Sequence, residues 1–251
     1  MDKKKYPNFV VLTTNRSGSE WVISTLNSIP HVYAQGELFL PRPRVKERRW
    51  DSDFARPRFI EIKPEGLPFR PFSVFSYLDR LYSAPEIVGF KLMYAQLGLY
   101  PEILPYLIVH GIRVVHLVRK NHLDVLLSFA VKAKLGKAHL LAGQSKPSDL
   151  SINLETKDLI KKLERLELKQ NAARKLLRVF RMRHMEVAYE DLLRDPDHYS
   201  LIWDFLSIQP GRELPQSTLV KIRKGGHREV ISNYDEVKQC LAYSKFAQLL
   251  E

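Results

Sequence analysis

Cysteine is almost missing from this sequence: Cys240 is the single one in 251 residues. One thiol excludes an internal disulfide and a cysteine-rich metal site, and Cys240 itself reads as a small apolar group. Long apolar runs are also missing. The first such stretch, Phe9 to Thr13, is five residues long. That is too short for the core of a secretion signal and far below the roughly 20 residues that cross a bilayer. A cytoplasmic, reduced chain without a membrane span is therefore expected; peripheral contact with an acidic surface stays open. Glycine is sparse, and nowhere forms the extended span ending in Gly-Lys-Ser/Thr that grips a nucleoside triphosphate with magnesium. No metal-binding cluster stands out, so no metal is expected. Repeats and low-complexity tracts are absent.

What the chain does contain points to a packed enzyme-sized domain. Hydrophobic residues make up 45% of it, enough for a core, and the length suits one α/β domain spanning 1–251. Forty Lys and Arg stand against 28 Asp and Glu, a formal charge of +12. Such a surface attracts nucleic acid, acidic lipid, or phosphorylated and sulfated small molecules. It also suits a site that holds several phosphates without a metal.

Phe9 to Thr13 has the look of a buried strand, and Thr14 to Ser19 of a tight polar turn. From Glu20 the apolar residues Val22, Leu26 and Ile29 recur with helical spacing until Pro30 stops them. A second short strand over His31 to Ala34 closes on Gly36 and Glu37. Residues 41–72 carry six prolines and many arginines, which predicts an irregular insert laid over the domain. Strands are predicted at Val88 to Met93 and Arg113 to Val118. Asn121 is a good N-cap for a helix to about Leu135, with Asp124 at its third position. Residues 136–153 read as loop. One long amphipathic helix, or two, is predicted from Thr156 to Met182. A strand at Met185 to Tyr189 and a helix containing Ile202 to Leu206 follow. Strand and helix alternate, so the expected fold is α/β: a mostly parallel sheet with helices on both faces, a P-loop-like arrangement.

The turn Arg16-Ser17-Gly18-Ser19-Glu20-Trp21 lies between the first strand and the first helix. Backbone N–H groups at a helix N-terminus, the helix dipole, two hydroxyls and an arginine make such a turn an anion cradle; an ordinary strand–turn–helix joint is the plain alternative. The hexapeptide resembles the 5′-phosphosulfate loop of sulfotransferases that use 3′-phosphoadenosine 5′-phosphosulfate (PAPS). His116-Leu117-Val118-Arg119-Lys120-Asn121, leading to Leu127-Ser128-Phe129, is similar to that family's 3′-phosphate motif. There an Arg at a strand end and a Ser on the next helix clamp the 3′-phosphate. The step from Arg119 to Ser128 resembles the bacterial carbohydrate branch, which includes nodulation-factor and trehalose sulfotransferases. Val187 to Pro196 resembles the family's Tyr-Glu-Asp-Leu segment, and Lys221 to Leu241 its C-terminal part. In one place the chain departs from the pattern. Glu20 stands where the family usually has Ser or Thr, and a carboxylate there repels an anion unless it turns away or pairs with a base.

The resemblance implies sulfuryl transfer from PAPS to a hydroxyl of an acceptor, leaving adenosine 3′,5′-bisphosphate; the arginines of the insert suit an anionic acceptor. Arg16, Ser17, Gly18, Ser19, Glu20, Trp21, Arg119 and Ser128 would hold the donor; Tyr189 and Lys224 are further candidates for it. Arg16, whose guanidinium keeps its proton, is expected to stabilise the charge that develops on the leaving group. Glu37 is the expected general base, with His116 and His122 as runners-up and a surface-loop role as its plain alternative. Lys91, in a buried-looking strand, is a candidate contact to donor or acceptor, since a buried lysine is costly unless paired. Arg48, Arg49 and Trp50, in the insert that follows Glu37, are candidate acceptor contacts. Two other classes stay open at this point. A nucleotide-dependent kinase of related architecture lacks the Walker lysine, and a nucleic-acid-binding module lacks a recognition motif.

Overall fold

The computed structural model describes residues 7–40, 56–62, 70–136, 140–141, 150–195, 197–209, 219–220 and 225–250. In chain order the elements are β1 (Phe9–Thr13), α1 (Ser19–Asn27), β2 (Val32–Glu37), α2 (Arg70–Tyr82), β3 (Ile87–Met93), α3 (Tyr94–Leu99), α4 (Ile103–Val109) and β4 (Arg113–Val118). They continue with α5 (His122–Leu135), β5 (Leu140–Leu141), α6 (Leu159–Val179), β6 (His184–Ala188), α7 (Tyr189–Arg194), α8 (His198–Leu206), β7 (Leu219–Val220), α9 (His227–Val230) and α10 (Tyr234–Leu241).

Five strands form one all-parallel sheet in the order β2-β3-β1-β4-β6. The central strand β1 is buried along its whole length, as a parallel strand covered on both faces must be. Its alternate residues serve two cores. Phe9 and Val11 pack with α1 and α8; Val10 and Leu12 pack on the opposite face with α2, α4 and the end of α6. The first crossover, β1 to β2, runs toward one edge, and all later ones run back toward the other. Because such crossovers are right-handed, the first crossover helix must lie on one face and the rest on the other. That leaves a crevice above the C-terminal end of β1, the place where open parallel sheets bind ligands.

A third core joins α5 and the start of α6 to α9, α10 and the chain end. Its seam is a single bridge, Ile152 with Ile231. Asn233 reinforces it by accepting from the Leu154 N–H and donating to its carbonyl, both at 2.9 Å.

The sequence and the structure part company in several places. The stretch 41–72 is not irregular to its end, since α2 begins at Arg70. Pro71 fits in the first helical turn, where no intrahelical N–H is needed. Residues 140–141, read as loop, form β5, which pairs antiparallel with β7. β2 runs on to Glu37, with a register irregularity between Gln35 and Glu37. Residues 159–179 form one helix. Tyr189 opens α7 and is not the last residue of a strand.

Glycine at 89 is dictated by packing. A β-carbon there would lie 2.3 Å from the ring of Phe9, its partner across the ladder.

Candidate functional site

The cradle is built on a hydroxyl pin. Thr13, the last residue of β1, has its Oγ1 2.7 Å from the Leu117 carbonyl of β4 and 2.6 Å from Ser17 Oγ. A hydroxyl has one proton. Thr13 gives its proton to the carbonyl, so Ser17 must donate to Thr13. The Ser17 side chain is thus committed to the fold, and what it can offer an anion is its backbone N–H. The turn itself is left-handed at Arg16 (φ 64°) and Gly18 (φ 85°). Gly18 is the N-cap of α1 and has no side chain to cap it, and the first helical bonds come from the N–H groups of Trp21 and Val22. The N–H groups ahead of them lie outside the helical ladder. Ser19 is buried at the start of α1.

Gly18 was expected to admit a phosphate. In the structure it also admits a ring: a β-carbon at 18 would fall 2.1 Å from Tyr189 Cδ2. Tyr189 is wedged there with Trp21 edge-on at 5.9 Å and the guanidinium of Arg119 over its face at 5.0 Å. Burial raises the Tyr189 pKa, which keeps the phenol neutral. Trp21 also meets Tyr199 at 5.4 Å and packs against the α1–α8 core.

The ends of β1 and β4 are tied directly to each other. Arg16 Nε donates to Ser128 Oγ on α5 at 2.9 Å, and Arg119 Nη1 donates to the Arg16 carbonyl at 3.1 Å. Arg119 is 8% exposed. Its Nη2 donates to Asp124 Oδ2 at 2.8 Å, and Asp124 Oδ1 lies 2.9 Å from His227 Nε2 on α9. Among the described residues the buried Nε of Arg119 makes no hydrogen bond, and Glu190 Oε1 stands 3.5 Å from it. Glu190 instead caps the turn after β4, accepting from the N–H of Lys120 at 3.0 Å and of Asn121 at 3.1 Å. Asp191 pairs with Lys120 at 2.7 Å. The segment Tyr189-Glu190-Asp191 is therefore a latch that holds α7 against the β4–α5 turn. Asn121 caps α5 as its sequence predicts, accepting from the Asp124 N–H at 3.0 Å.

On the other side of β1, Lys91 is 2% exposed. Its ammonium contacts Glu20 Oε1 on α1 and lies 3.3 Å from Glu37 Oε1 at the end of β2. Gln96 Nε2 donates to the second oxygen of Glu37 at 3.2 Å. Glu20 does pair with a base, and through Lys91 the cradle is one side chain away from Glu37.

The histidines lie elsewhere. His116 is fully buried on β4, its Nε2 2.7 Å from the Tyr94 hydroxyl and its Nδ1 3.0 Å from Glu186 Oε2. Burial lowers its pKa to about 4. Arg174 grips both oxygens of Glu186, at 2.7 and 2.8 Å. Burial works to raise the Glu186 pKa, but this grip outweighs it and the net shift is downward. His116 is therefore neutral, with Nε2 facing the Tyr94 hydroxyl and Nδ1 facing the Glu186 carboxylate without hydrogen-bond geometry. His122 is buried against Gln170 at 3.3 Å, and burial lowers its pKa too.

Arg48, Arg49, Trp50 and Lys224 lie outside the described residues. Among those described, no three His, Cys, Asp or Glu residues group as metal ligands, and no helix is long and apolar enough to cross a membrane. The residues that sequence reasoning missed are Asp124 as the partner of Arg119, Glu190 as a cap, His227 and Gln96. Asp124 and Glu190 stood inside motifs already singled out; for His227 and Gln96 no sequence signal existed.

The crystal structure of a sulfotransferase from Alicyclobacillus acidocaldarius matches 97% of this chain and 92% of its own, with a TM-score of 0.51 and 16% identity. The two chains share a fold. No protein-family model matches the sequence, and no curated protein does.

The buried imidazole carries a pH signature. In the unfolded chain His116 takes up a proton near pH 6.5, whereas in the folded protein it does so only near pH 4. A depressed histidine pKa means that stability is present above this window and is lost as pH falls through it. The loss expected from His116 is about 3 kcal/mol between pH 6.5 and 4. Urea denaturation at a series of pH values checks this; a stability flat across that range would show that His116 is not held neutral.

Proposed function

We propose that the chain is a sulfotransferase that moves a sulfuryl group from PAPS to an acceptor hydroxyl, on a carbohydrate, glycolipid or small metabolite. The observation that carries the reading is the joining of the two anion-binding arms. Arg16 reaches Ser128, and Arg119 reaches the Arg16 carbonyl, in the crevice above β1 and β4. A donor with phosphates at both the 5′ and 3′ positions needs two such arms a fixed distance apart. Among the described residues the Arg119 Nε makes no hydrogen bond, only the long ion pair with Glu190, and a phosphate oxygen would satisfy it. The fold shared with the sulfotransferase of A. acidocaldarius supports the same reading.

In this reading the bond from sulfur to the 5′-phosphate oxygen breaks as a bond forms from sulfur to the acceptor oxygen, and adenosine 3′,5′-bisphosphate leaves. Arg16 and the N–H groups of the turn stabilise the charge on the departing phosphate, in the way that positioning and electrostatics serve phosphoryl transfer. Glu37 takes the acceptor proton, with Gln96 and Lys91 fixing its carboxylate. The acceptor side would draw on Arg48, Arg49 and Trp50. The segment holding them leaves from Phe39 and returns at Phe59, and these rings stack at 5.4 Å, two residues beyond Glu37.

Donor recognition is tested by calorimetry. Adenosine 3′,5′-bisphosphate should bind much more tightly than 5′-AMP, and the difference should fall by about 1.5–3 kcal/mol in Arg119→Ala. Because Arg119 also holds the fold together, Ser128→Ala serves as a milder variant and should shrink the same difference. Equal wild-type affinity for the two nucleotides would sink the assignment. A thermal-shift comparison with ATP–magnesium and DNA separates the kinase and nucleic-acid classes.

For the base, Glu37→Gln should keep nucleotide binding while turnover drops by roughly two to four orders of magnitude. Wild-type turnover in that variant would remove Glu37 from the chemistry. For the acceptor, the double change Arg48→Ala, Arg49→Ala should raise the acceptor KM, leave the donor KM alone, and lose its effect at high salt. Unchanged kinetics for both substrates would place the acceptor elsewhere.

A further inference from the structure

We infer that Glu20 is a positioning residue of the transfer site, which holds the Lys91 ammonium back from Glu37 and so keeps the base open to the acceptor. This rests on the sulfotransferase reading. Lys91 is buried in β3, and an ammonium there requires carboxylate partners. It has two, and they are unequal. Glu20 is in direct contact, whereas Glu37 Oε1 stands 3.3 Å away. A tight charge-assisted contact of this kind spans about 2.7–2.9 Å, so the pair with Glu37 is loose and the pair with Glu20 is not. The second oxygen of Glu37 is held at 3.2 Å by the neutral amide of Gln96, which orients the carboxylate without adding a cation.

The geometry makes the role of Glu20 specific. Were its charge removed, Lys91 would keep a single anionic partner and close on Glu37. A carboxylate locked in a tight ion pair must break that pair before it can accept a proton from a hydroxyl. Breaking a charge-assisted contact slows the step about tenfold or more. The same arrangement explains how a carboxylate can stand in the first turn of α1 beside an anion cradle: its charge is spent on Lys91.

The test has two readouts. The first is stability, which does not depend on any activity. Melting temperatures of Glu20→Gln, Lys91→Met and the double variant should be strongly non-additive: the loss caused by Glu20→Gln should be less than half as large once Lys91 is gone. Additive losses would overturn the pairing. The second readout is sulfate release from PAPS with water as the acceptor. There the sulfur–phosphate-oxygen bond breaks, water oxygen bonds to sulfur, and Glu37 takes the proton. Glu20→Gln should lower kcat about tenfold or more and be rescued by Glu20→Asp. An unchanged kcat in an active enzyme overturns the positioning role alone. A wild-type protein that neither binds adenosine 3′,5′-bisphosphate nor releases sulfate overturns the sulfotransferase reading, and this role falls with it.

Discussion

The guanidinium of Arg119 sits almost wholly out of water at the junction of four chain segments, and the surrounding structure is shaped by its need for partners. Removing a full charge from solvent costs several kcal/mol unless hydrogen bonds and counter-charges replace the water. Here the Arg16 carbonyl, Asp124, the face of Tyr189 and the more distant Glu190 supply the replacement. These come from three parts of the chain, so satisfying one side chain fixes the β1 turn, the start of α5 and the start of α7 against one another. Asp124 extends the set to α9 through His227. The cradle is therefore rigid because a buried cation has to be surrounded, and the glycine at 18 is what lets the tyrosine ring complete the enclosure.

The opposite flank follows the same logic, again around a buried cation. A lone lysine in β3 draws two carboxylates from α1 and β2, and these contacts bring the proposed base to within one side chain of the cradle. Both flanks use charges whose partners are local and nearly saturated. The site is thus preorganised, with little rearrangement needed to present an oriented field to a ligand.

Much of this was legible beforehand. The strand FVVLT, the polar turn and the helix after it could be read because a fully buried strand is a continuous apolar run and a helix repeats every three to four residues. The cap at Asn121 was read from residue type alone. What could not be read depends on contacts between distant residues. Ser17 looked like a phosphate ligand, and only the proximity of Thr13 shows that its hydroxyl proton is already used. Nor does the sequence around Gly18 announce the Tyr189 ring packed against it. The short helices α3, α4, α7 and α9 were missed because four to seven residues hold too little periodicity to outweigh turn signals. The pairing of β5 with β7 joins two-residue strands far apart in sequence, which no local pattern announces.

The position of β1 also has a consequence for how the chain is made. The strand at the heart of the sheet is synthesised before both of its neighbours, β3 and β4, with Phe9 matched to Gly89 and Arg113. At translation rates of about 5–20 residues per second, this apolar strand waits roughly five to twenty seconds before its second partner has been made. Until β3 has been made, both of its edges lack partners, and one edge stays open until β4 follows. Folding of the nascent chain is therefore governed by closure of long loops. An apolar strand with open edges is a site for chaperone binding and self-association, although in the finished protein β1 is buried along its whole length.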